Sequence, residues 1–112
     1  MSQPMPRAAI KVVGDGEYET VAASQTDQVL GATGATGDYL EGLLIVPATT
    51  AAGAVSIKDG AGSAITVFTG AAVTALLTLI PFYIPIGAKS AAGAWKVTTA
   101  GNVSVIAIGR FT

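Results

Sequence analysis

The stretch AWKVTTAGNVSVIAIGRF, Ala94 to Phe111, decides the fold. It contains two alternating runs. In the first, Trp95, Val97 and Thr99 share a face; in the second, Val103, Val105 and Ala107 share one face and Ser104, Ile106 and Ile108 the other. A period of two is the mark of a strand, not of a helix. Between the runs lies TAGN, a loop of hairpin length and composition, so the stretch is expected to form a β-hairpin. Both faces of the second run are apolar. A strand of that kind belongs at the centre of its sheet, or else turns one face to a partner.

The same texture runs outward through the chain. AAIKVV (residues 8–13) precedes a turn at Gly14–Gly16, and EYETVAAS alternates with Tyr18, Thr20 and Ala22 opposite Glu17, Glu19 and Val21. YLEGLLIVPA reads as a buried strand closed by Pro47. GAVSIKDG and AITVFTG read as a hairpin about the turn KDGAGS, where Asp caps and Gly supplies positive φ. In the second strand, Ile65 and Val67 are expected opposite Thr66 and Phe68. Helix is conceivable for residues 71–79, but Thr74, Thr78, Val73 and Ile80 weaken it. Pro81 and Pro85 confine the adjoining segment to an edge strand or an extended connection. About eight short strands with turns every 8–12 residues are the pattern of an all-β sandwich or barrel. The expected fold is a single domain spanning residues 1–112: a compact antiparallel sandwich, jelly-roll-like, with an extended N-terminal arm over residues 1–9.

Composition restricts the function. Of the 112 residues, 51% are apolar and only 12% charged, and the net charge is −1. That is about half the usual charged share. So little charge leaves apolar surface outside, and contact with another protein is its natural use. No basic cluster exists for nucleic acid or for an anionic membrane. The longest run free of Pro, Gly and charge, Ala71 to Ile80, is well short of the ~20 residues of a spanning helix. The N-terminus lacks the pattern of a signal peptide.

The chain has no His and no Cys. The usual general base and both usual zinc ligands are therefore missing, and disulfides with them. No Ser sits in a Gly-x-Ser-x-Gly context. Lys89 and Ser90 are adjacent, so on a strand they point to opposite faces. Asp15 with Glu17, and Asp59, lack the spacing of a calcium loop, and turn duty is expected of them. GATGATG, Gly31 to Gly37, is neither a dinucleotide fingerprint nor a phosphate loop. Its bland reading is a flexible loop of small residues; its functional reading is a place where another protein's backbone comes close. Trp95 is expected as a core or interface anchor. Tyr39, Phe82 and Tyr83 have no evident common location. No catalytic residue, cofactor or metal ligand is expected.

The Pro-bearing arm SQPMPRAAI, the Gly/Ala/Thr-rich strands and the ending GAWKVTTAGNVSVIAIGRF together resemble the small capsid decoration (cement) proteins of tailed bacteriophages. The likeness spans the chain and rests on texture. It implies a virion protein made in the host cytoplasm and bound to the capsid surface over joints between major capsid subunits. It also implies self-association as dimers or trimers, and no nucleic-acid, membrane or catalytic role. Expected interface residues are Pro4, Pro6 and Arg7 in the arm, with Trp95, Arg110 and Phe111. Two other readings compete. A carbohydrate- or receptor-binding β module would show an exposed aromatic platform. A small enzyme or ligand-binding barrel would show a polar-lined pocket. A tail, fibre or baseplate subunit shares the structural class.

Overall fold

The computed structural model describes residues 16–70 and 79–112. The arm over residues 1–9, the run 8–13, and residues 71–78 of the apolar segment lie outside these, and so do Pro4, Pro6, Arg7 and Asp15. The described residues form eight strands and no helix: β1 (Glu17–Val21), β2 (Gln28–Val29), β3 (Tyr39–Pro47), β4 (Val55–Asp59), β5 (Ile65–Phe68), β6 (Phe82–Lys89), β7 (Trp95–Thr99) and β8 (Val103–Arg110).

These make two four-stranded sheets, ordered β1-β8-β3-β6 and β2-β7-β4-β5. Every ladder is antiparallel. The order arises from one long ribbon. β4 turns back into β5, β3 pairs with β6, β2 with β7 and β1 with β8. Winding that ribbon brings β8 against β3 and β7 against β4. Eight strands so wound are a jelly roll. The hairpin β4–β5, the central place of β8 and the edge place of the proline-bearing β6 agree with the sequence.

The hairpin expected over Ala94–Phe111 does not form. β7 and β8 belong to different sheets, and residues 100–102 arch from one to the other. The arch is held from both sides: Ser24 N–H donates to the Ala100 carbonyl, Ala100 N–H to Ala54, Gly53 N–H to Gly101, and Ala48 N–H to Asn102, all at 2.9–3.0 Å. Asn102 takes a left-handed φ of 63° to make the corner. A hairpin and an arch both set Thr99, Val97 and Trp95 on the same side as Val103, Val105 and Ala107. Alternation cannot separate them.

The two sheets enclose a core of Val21, Leu30, Leu43, Ile45, Val55, Ile57, Trp95, Val97, Val103, Val105 and Ala107. Phe82 joins it by packing edge-on to Phe68, with centroids 5.3 Å apart. β5 departs from the expected facing. A register irregularity between Val55 and Ser56 sets Phe68 opposite the buried Val55, on the same face as Ile65 opposite Ile57; Phe68 and Val67 pack on the core, while Ile65, on this outermost strand, remains exposed. The buried Thr99 is satisfied: its hydroxyl donates to the Ala22 carbonyl at 2.6 Å and accepts from Gln25 N–H at 3.0 Å.

Candidate interaction surface

The outer faces of the two sheets differ in character. On the second sheet, Ser56, Lys58, Lys96, Thr98 and Thr66 face out, in register across β7, β4 and β5. Lys58 bridges Asp27 at 3.1 Å, and the Asp27 carboxylate also accepts from the Thr98 hydroxyl. The Lys58 hydrogen bond, with smaller help from Thr98 and two lysine charges, holds the Asp27 carboxyl below its ordinary value. This face is wet and carries its own ionic partners.

The first sheet turns out a different set. Register places Tyr18, Ile108, Gly42 and Pro85 in one row across β1, β8, β3 and β6. The next row is Thr20, Ile106, Leu44 and Tyr83. Val46 and Ser104 continue it. Tyr18 is 73% exposed and Tyr83 43%. The apolar residues face solvent because β8 and β3 are central strands whose inner faces are already spent on the core. Among the described residues, charge appears on this face only at one end, where Arg110, Tyr39 and Lys89 form a row, and at Glu41.

Glu41 marks an irregularity. Between Leu40 and Gly42 the register shifts on both sides of β3, so Leu40 faces inward on one side and Leu43 and Ile45 on the other. The Tyr83 phenol occupies the space that a side chain at Gly42 would fill. Its hydroxyl is bonded to Glu41; burial first, and then the Glu41 charge, raise its pKa above the ordinary value. Tyr39 and Tyr83 therefore both lie on this face, while Phe82 packs on the core.

The other candidates are structural. Ser90 is buried; its hydroxyl donates to the Ala35 carbonyl and accepts from Gly37 N–H, while Lys89 faces out. The Asp59 carboxylate accepts from Ala91 and Ala92 N–H at 2.9 Å and so tethers the neighbouring loop, while its carbonyl closes its own turn by accepting from Gly62 N–H at 2.9 Å. Glu19 accepts from Gly31 N–H at 2.7 Å, and Glu17 from Phe111 N–H at 2.9 Å. Among the described residues no group of acids is placed to hold a metal ion, and no helix is long and apolar enough to cross a membrane.

The Gly-Ala-Thr loop is closed by its own chain. Asp38, 6% exposed, accepts from Ala35 N–H at 3.0 Å, Thr112 N–H at 3.1 Å and the Thr112 hydroxyl at 3.2 Å. Thr33 N–H donates to the Thr112 carbonyl. A Cβ at Gly31 would meet the Thr112 backbone at 2.8 Å, and one at Gly34 would overlap Ala94. Both glycines have φ in the left-handed region. The close backbone approach that the repeat permits is made here by residues 111–112. Trp95, 4% exposed, donates its indole N–H to the Asp38 carbonyl at 3.0 Å. Trp95 and Phe111 are therefore inside the protein rather than displayed on its surface. Arg110 does reach the surface, at the rim of a groove of about 490 Å³ shared with Glu17, Asp38, Tyr39 and Lys89. Asp38 and Glu17 in this groove are already engaged by backbone N–H groups.

No protein-family model, curated protein or solved structure matches this chain.

Proposed function

We propose that this protein is a structural subunit that works by burying surface against its neighbours, and specifically a capsid decoration protein of the phage type its sequence resembles. The observation that supports the reading is the unequal character of the two outer faces, one polar and one apolar. A jelly roll with a single apolar sheet face is suited to adding protein contact area, and a shell of repeated subunits multiplies each small contact. Acids bound to backbone N–H groups, to Lys58 or to Tyr83 are poor candidates for acid–base work, which needs a carboxyl aimed at a substrate. A glycan-binding role is less well supported. Tyr18 and Tyr83 lie on edge strands of the sheet, with Ile106, Ile108 and Leu44 in between, and those offer no hydrogen bonds to a sugar.

The test is add-back. Purified protein is mixed with shells that lack it, and the shells are recovered by sedimentation and heated. Bound protein and a higher temperature of shell opening are expected. Failure to sediment with shells, alongside binding to a glycan array, would replace this reading with the receptor-binding one.

A further inference from the structure

We draw no further inference here: the strongest candidate, the apolar outer face of the first sheet, where Thr20, Ile106, Leu44 and Tyr83 lie in register, belongs to the surface already described, and nothing in the structure shows what covers it.

Discussion

Asp38 offers the sharpest test of how the loop at residues 31–37 is held. Its carboxylate receives two backbone N–H groups, from Ala35 and Thr112, and the Thr112 hydroxyl. A hydrogen bond to a charged acceptor contributes ~1.5–3 kcal/mol when its partner is otherwise stranded. Thr112 is exposed, so water can serve its N–H once the carboxylate is gone. Asp38→Ala should therefore cost about 3 kcal/mol, near the lower end for two bonds. With an unfolding entropy of ~2.1 cal/mol/K per residue, that lowers Tm by about 13 °C. Asp38→Asn keeps the shape and one acceptor oxygen and should fall about midway. The Asp38 carbonyl, which receives the Trp95 indole and Ser90 N–H, is retained in both variants. Urea unfolding tracked by the fluorescence of Trp95, the sole tryptophan, gives the midpoint and slope. A drop in midpoint at constant slope is expected. An Asp38→Ala protein within ~0.5 kcal/mol of the parent, the usual range of a neutral surface change, would refute the account of the loop.

The same geometry sets the outcome of other substitutions. Gly34→Ala combines a left-handed φ with overlap on Ala94 and Val29 and should destabilise by about 2 kcal/mol or more in urea melts. Leu43→Ala, in the centre of the core, should cost ~2–5 kcal/mol by the same measurement. The depressed Asp27 pKa means that the Lys58 contact stabilises above the ordinary carboxylate range and is lost as pH falls through the folded value; in Lys58→Met, the Asp27 pKa measured by NMR should rise toward its ordinary value. The raised Tyr83 pKa works in the opposite sense: stability falls as pH climbs from the ordinary tyrosine value to the folded one. Tyr83→Phe should remove a late-titrating phenol from the ultraviolet titration, and Glu41→Gln should bring it earlier.

Much of the architecture was legible because strand signals are local. The alternation of residues 17–22, the apolar run ending at Pro47 and the turn at Asp59–Gly60 each carry their own chemistry, and prolines at 81 and 85 announce an edge. The arch at residues 100–102 was not legible, because what decides it is the pull of Ala48, Gly53, Ala54 and Ser24, distant in sequence. The facing of β5 was missed for a related reason: an irregularity in the ladder brings Phe68 onto the face of Ile65, and nothing in ITVF encodes it. The apolar face was half visible. Ile106 and Ile108 stood out on a strand already apolar on its other side, but Tyr18, Leu44 and Tyr83 join them only through long-range register. The glycine repeat signalled close approach without saying to what; the answer, Thr112, lies at the far end of the sequence.

The pairing of β1 with β8 has a consequence for how the molecule comes into being. Residues 17–21 find their partners only at 105–109, so this ladder must close a loop spanning most of the domain before it gains anything from doing so. Closing so long a loop is entropically costly, and folds dominated by such distant pairings reach the native state slowly, in milliseconds to seconds. Of the ladders among the described residues, β4–β5 is the first whose two strands are synthesised, while the β1–β8 ladder must wait until β8 has left the ribosome.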